Sequence, residues 1–184
     1  QDIIKIALNA NLPDDIRIMD ACEERESFHP RYDAKTKTYF YVIANSRVVS
    51  PFLYKYACRV PHELSFGAMS HALSLLKGRH DFSSFRGSGC GAKNPVRTVF
   101  DISIEKLDSL SFMTAGLQGN FLKLRIKGDA FLRHMVRNIV GTVIEAGRGK
   151  INASDMEKIL LSKDRRLAGP TAPARGLFLE NIDY

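Results

Sequence analysis

The sequence predicts an α+β fold, a largely antiparallel sheet with helices packed on one face. Three observations predict it. The apolar patterns run strand, strand, helix, strand, strand, helix, helix, strand, which leaves too few strand–helix–strand units for a parallel doubly wound sheet. The helical patterns stop at glycines, Gly78 and Gly147, as helices ending in a left-handed cap do. The chain has 184 residues, 45% hydrophobic and 26% charged, ordinary globular usage for one large domain able to bury its own core.

Each element has its own signal. Ile3, Ile4 and Ala7 have helical spacing, and Asn9 to Pro13 stops that helix. It is short and starts without a cap, which reads as the tail of something longer. Residues 1–184 are therefore expected to be a single domain from a larger protein. Ile16 to Cys22 reads as a strand, and Thr36 to Ala44, rich in Tyr, Phe, Val and Ile, as a stronger one. Leu64 to Leu76 carries the apolar stripe of an amphipathic helix. Arg86 to Asn94 is a polar, glycine-rich loop. Val96 to Ile104 and Asn120 to Lys127 are two strands joined by a loop. Phe131 to Ala146 is a helix. Ser154 and Glu157 read as a capping box for a helix through Leu161. Leu177 to Tyr184 alternates Leu177, Leu179 and Ile182 with polar residues and closes the sheet.

Composition narrows the function. No apolar run approaches ~20 residues, so no membrane-spanning helix is expected. The three cysteines, Cys22, Cys58 and Cys90, are widely spaced with no CxxC pair, which argues against a zinc site and for a reducing, cytoplasmic setting. Net charge is +7, and it is local. Residues 1–50 hold 7 basic and 8 acidic side chains, whereas residues 51–184 hold 20 and 12. Lys77, Arg79, Arg86, Lys93 and Arg97 face only Asp81 within 77–97. The stretch 123–150 carries seven basic side chains against Asp129 and Glu145. Clustered positive charge points to a polyanion, most commonly nucleic acid. A solvated basic surface is the plainer alternative.

The segment FLRHMVRNIVGTVIEAG is the most unusual. Phe131, Met135, Ile139 and Val143 recur every four residues and are expected to face the core, widened by Val136, Val140 and Ile144. Arg133, Arg137 and Gly141 form an adjacent file. Arg137 thus sits between apolar flanks, where an unpartnered guanidinium is costly. It needs a phosphate or a carboxylate, and Glu180 and Asp183 of the chain itself are candidates. Gly141, one turn on, lets another segment approach closely. In TKTYFYVI, Tyr39 and Tyr41 share one face, with Lys35 and Lys37, opposite Phe40 and Val42. Such a tyrosine can stack on a nucleobase, or simply fill the core. Phe82 and Phe85 are expected to anchor their loop, leaving Arg86 for a partner. No P-loop, dinucleotide fingerprint, GxSxG elbow or metal-spaced histidine pair occurs, so the chain displays no complete catalytic set.

NANLPDDI (residues 9–16), FHPRYDAKTKTYFY (28–41), HDFSSFR (80–86), FLRHMVRNIVG (131–141), KDR (163–165) and GLFLENIDY (176–184) together resemble the tRNA pseudouridine synthase A family, in the family's order and across essentially the whole chain. The resemblance implies isomerisation of uridine to pseudouridine in the anticodon arm of tRNA, with the glycosidic bond broken, the base rotated and a carbon–carbon bond formed through C5. It implies no metal, no organic cofactor, and a homodimer with tRNA crossing both subunits. The family nucleophile is an aspartate in a Gly-Arg-Thr-Asp-Ala-Gly-Val-His type motif upstream of the NANLP segment, and this sequence contains no such motif. The expectation is therefore the C-terminal part of such an enzyme, inactive alone, or else a non-catalytic RNA-binding module on the same scaffold. By the same resemblance Tyr39 matches the tyrosine that stacks on the target uracil and assists removal of the C5 proton. Arg137 matches the arginine that pairs with the catalytic aspartate. Arg31, Lys37, Arg86, Arg97 and Arg133 are candidates for phosphate contact only.

Overall fold

The β-branched and aromatic run at 36–44 forms strand β1 (Thr36–Ala44), the centre of the sheet. The computed structural model describes residues 2–112 and 115–184, and the chain divides into two compact units, residues up to 34 and residues 35–184. In the second unit β1 pairs antiparallel with β5 (Ala115–Gly128), β5 with β4 (Val96–Phe112), and β4 with β3 (Gly78–Asp81). The other edge of β1 is shared. β6 (Leu177–Asp183) runs antiparallel to 36–41, and the two-residue β2 (Cys58–Arg59) pairs parallel with Ile43 and Ala44. The architecture is the expected α+β, antiparallel apart from β2.

Alternation along β1 and β5 divides the core. Tyr41, Ile43, Leu122, Leu124 and Ile126 point to one face, where α2 (Phe66–Ser74), α3 (Met135–Gly147) and α4 (Ala153–Ser162) cover them. Met135, Ile139 and Val143 of α3 are fully buried, as their four-residue spacing predicts. Each such side chain contributes roughly 1.5–3 kcal/mol by leaving water. The opposite face carries a smaller cluster around Val42, Ala44, Leu53, Ala57 and Phe121, extended by Phe40 stacked on Phe178 at 4.7 Å.

Several expectations are corrected. Ile16 to Cys22 is not a strand. In the first unit, which also holds α1 (Asp2–Asn11), the Asn9 side-chain amide takes both backbone bonds of Ile18, at 2.9 and 2.8 Å. Ile18 thus satisfies its backbone polar groups without a neighbouring strand. The loop expected between residues 104 and 120 is mostly strand: β4 and β5 continue as a long hairpin, with Leu107, Leu110 and Leu117 packed on the second cluster. Residues 58–59 and 78–81, to which the sequence assigns no strand, are β2 and β3. The helix expected from Phe131 starts at Met135, and that expected from Leu64 starts after Ser65, whose side chain accepts from Ala68 N at 3.3 Å. Gly78 does not close α2; it opens β3. The capping box on α4 is Asn152 with Asp155, not Ser154 with Glu157, the two bonds being 2.9 and 3.1 Å. In β6 Leu177 and Phe178 face opposite clusters by ordinary alternation and Leu179 is exposed, and a bulge at Glu180, opposite Thr38 and Tyr39, then breaks the alternation before Ile182.

The closing strand carries a pH-dependent lock. The Thr36 hydroxyl and then Lys127 hold the Asp183 carboxyl at about 2, below the ordinary 3.8. A depressed acid contributes stability above its unfolded value and loses it as pH falls through the folded value. The expected result is that acid unfolding between about pH 4 and pH 2 is steeper in the native chain than in Asp183→Asn, followed by circular dichroism. Parallel curves would show that this contact has no role in stability.

Candidate functional site

Tyr39 and Tyr41 lie two residues apart on β1 and point to the helix face. Tyr41 is wholly buried, and its hydroxyl donates to Pro173 O at 2.8 Å. Tyr39, nearer the strand's start, is half-buried with its ring edge-on to Phe131 at 5.2 Å. Burial pushes the Tyr39 phenol above its usual value, so it stays protonated across the neutral range.

The first turn of α3 faces this tyrosine. His134, the residue before the helix, has φ 61°, a left-handed conformation that side chains rarely adopt. Such strain gathers at functional sites. Three residues on, Arg137 is half-buried. Its Nε donates to Ala172 O at 2.6 Å, and Ala172 N returns a bond to Arg137 O at 3.1 Å. Tyr39, Phe131, Arg133, His134, Arg137 and Leu177 line a single cavity of about 340 Å³, large enough for a nucleobase-sized group. No carboxylate is among its described lining residues.

The strap holding Arg137 is itself fixed. Asn138, completely buried, donates to Phe85 O at 2.7 Å and accepts from Thr171 Oγ1 at 2.6 Å and Arg165 Nη2 at 3.0 Å. Thr142 Oγ1 bonds Asn138 O at 2.7 Å and accepts from Gly169 N at 2.9 Å. Every polar atom of this buried network has a partner, the condition under which such networks rigidify rather than destabilise. The segment 165–172 is thereby clamped along α3, and the orientation of Arg137 with it.

Ion pairing sorts the basic residues. In the stretch 123–150, Lys123 meets Glu105, Arg125 meets Glu180, Lys127 meets Asp183, and Arg148 and Lys150 both meet Glu145, at 2.6 to 3.5 Å. Glu180 and Asp183, considered above as partners for Arg137, are thus engaged elsewhere. Arg133 and Arg137 are the two basic residues of that stretch with no carboxylate partner among the described residues. Arg133 lines the cavity of Tyr39, and its Nη1 donates to Gly89 O at 3.3 Å. Arg86 lines an adjoining cavity. The other candidates line neither. Arg97, on β4, donates to Asn94 O and Val96 O; Lys37 is half-buried on β1; Arg31, in the first unit, lies over the Tyr32 ring at 5.9 Å. His134 was not legible as a site residue, because nothing in sequence marks a left-handed histidine.

Residues 72–184 match the family described as tRNA pseudouridine synthase. The chain is 42% identical over 183 residues to tRNA pseudouridine synthase A of Thermodesulfovibrio yellowstonii, covering 100% of this chain and 72% of that protein. It is 45% identical over 183 residues to the protein of the same name from Acetivibrio thermocellus, covering 100% of this chain and 70% of that one. The chain belongs to the tRNA pseudouridine synthase family. The family match includes α3 and its strap, whereas the two relatives align over the whole chain and so also over the strand that carries Tyr39. In this family member no described helix is long and apolar enough to cross a membrane.

Proposed function

We propose that residues 1–184 form the base-holding part of a tRNA pseudouridine synthase acting on uridine in the anticodon arm. The observation that supports this most is the meeting, in one nucleobase-sized cavity, of Tyr39 and an Arg137 with no carboxylate partner among the described residues. The Tyr39 ring stacks on the uracil. Burial, which keeps its phenol protonated, favours this role over that of a ready-made phenolate base. The Nε of Arg137 is committed to Ala172 O, which leaves its two terminal nitrogens to receive a nucleophilic aspartate supplied from outside this sequence. That aspartate attacks the uridine, the N1–C1′ glycosidic bond breaks, and the rotated base rejoins C1′ through C5; the aspartate is released, the C5 proton is lost to solvent and N1 gains a proton, so the product is an isomer of the substrate. The same reading makes the protein a cytoplasmic homodimer working without metal or organic cofactor. Residues 1–184 then belong to a larger catalytic core.

Tritium release from tRNA carrying 5-tritiated uridine tests it. The chain alone should release none, and a protein joining it to the family's aspartate-bearing segment should release tritium. Release by the chain alone would show that the nucleophile lies within these residues. No release by either protein, with RNA binding intact, would favour the non-catalytic module.

A further inference from the structure

Beside the base cavity lies a second one of about 620 Å³, lined by Arg86, Lys163 and Arg165, with Ser88, Gly89 and Asp164 among the other walls. One loop separates the two. Gly87 N donates to Arg133 O at 2.8 Å, and Gly89 O accepts from Arg133 Nη1. Gly89 has φ +69°, and a Cβ there would stand 2.8 Å from that Nη1, so the loop is shaped to receive this arginine.

Four guanidinium groups surround the paired cavities, those of Arg86, Arg133, Arg137 and Arg165. Each is oriented by neutral acceptors: Cys90 O for Arg86, Gly89 O for Arg133, Ala172 O for Arg137, and Ala168 O, Asn138 Oδ1 and Thr171 Oγ1 for Arg165. None meets a carboxylate among the described residues. Elsewhere on this unit the basic residues of β5 and of the end of α3 are neutralised. Among the described residues lining the second cavity the one carboxylate, Asp164, is itself held by Arg166 at 2.7 Å. A row of arginines fixed in direction but not in charge is arranged for an anion that arrives from outside. The Cys90 thiol, also in the wall of the second cavity, is held below its usual value chiefly by the backbone N–H groups of Ala92 and Arg133 and then by Arg86.

We propose that the second cavity is a subsite for a phosphodiester of the RNA strand whose base occupies the cavity of Tyr39. Arg86, Lys163 and Arg165 are its cationic groups, and the loop at 87–89 is the ridge over which the strand passes. This rests on the proposed function and adds to it where the neighbouring backbone lies and two residues, Lys163 and Arg165, that the reading above does not use.

Lys163 is the clean test. It is mostly exposed, its 3.2 Å partner Asp81 keeps its bonds from Ser83 N and Oγ when the lysine is replaced, and asparagine tolerates its φ of 56°. Arg165 is unsuitable, since it also supports Asn138. Binding of a fluorescent single-stranded oligoribonucleotide is measured by anisotropy over a range of salt, for the unaltered chain, Lys163→Asn and the charge-matched control Lys158→Gln. Lys163→Asn should bind about 5-fold more weakly and lose about 0.7 of a unit of salt slope, the signature of one phosphate contact on a single strand, while the control stays unchanged. On an oligonucleotide with an uncharged methylphosphonate backbone the Lys163 effect should vanish. An unaltered salt slope in Lys163→Asn, or an effect that persists on the uncharged backbone, would overturn the subsite and leave the base cavity standing. Failure of the unaltered chain to bind RNA at all would remove both.

Discussion

Gly141→Ala should destabilise the protein by about 3–5 kcal/mol, well above an ordinary core substitution. A Cβ at this position would stand 1.6 Å from Pro170 O and 3.3 Å from Ala172 N. Both are backbone atoms, so no rotamer change relieves the overlap. Nor can the strap retreat cheaply: Gly169 N is bonded to Thr142, Thr171 to Asn138, and Ala172 to Arg137 in both directions. Moving it strands several buried polar groups at about 1–3 kcal/mol each. Thermal unfolding should fall by about 10 °C for a unit of this size. Gly67→Ala is the control, because nothing lies within 4 Å of a Cβ there and the site is inside α2; it should stabilise by about 0.5–1 kcal/mol. A Gly141→Ala protein as stable as the unaltered one would mean that strap and helix are not in the contact described.

Gly141 also shows where sequence reading stops. The file Arg133–Arg137–Gly141 revealed that a segment approaches α3 and that Arg137 needs a partner, because both follow from helical periodicity and the cost of a buried charge. It did not reveal that the segment is 165–172, since that contact spans thirty-odd residues and is made by backbone. The centre of the sheet was legible for a similar reason: alternation in Thr36–Ala44 places Tyr39 and Tyr41 on one face whatever their neighbours. β2 and β3 were not, being two and four residues long and existing only because β1 and β4 offer them edges. Ile16 to Cys22 shows the converse: apolar residues without a neighbouring edge do not make a strand. Charge was legible as a total and misleading as a map. Lys123, Arg125 and Lys127 looked like part of a nucleic-acid surface, yet register places carboxylates of β4 and β6 beside them. What sets Arg86, Arg133, Arg137 and Arg165 apart is that neutral partners hold them in the walls of two adjoining cavities, which only the fold decides.

Arg137→Met carries the largest expected effect on activity and separates a functional arginine from a structural one. In residues 1–184 the substitution removes one hydrogen bond, to Ala172 O, and with it a partly desolvated cation that has no carboxylate partner among the described residues. Losing a bond from a charged donor costs about 1.5–3 kcal/mol; relieving the unpaired charge offsets most of it, since apolar replacements of buried ions are often neutral or stabilising. Unfolding midpoints should therefore stay within about 1 kcal/mol of the unaltered chain. In a protein that brings the aspartate to the cavity, the same change leaves a carboxylate facing apolar walls. Breaking a pair of this kind from one side costs about 3–5 kcal/mol when fully buried. Discounted for half-burial to about 2–4 kcal/mol, it lowers kcat/KM for pseudouridine formation roughly 30- to 1,000-fold. Arg137→Lys retains the charge but not the planar fork or the Nε that Ala172 O holds, so it should recover only part of that loss. A merely structural arginine gives the opposite pattern, a large fall in stability with kcat/KM of the folded fraction preserved, and that result would withdraw Arg137 from the site.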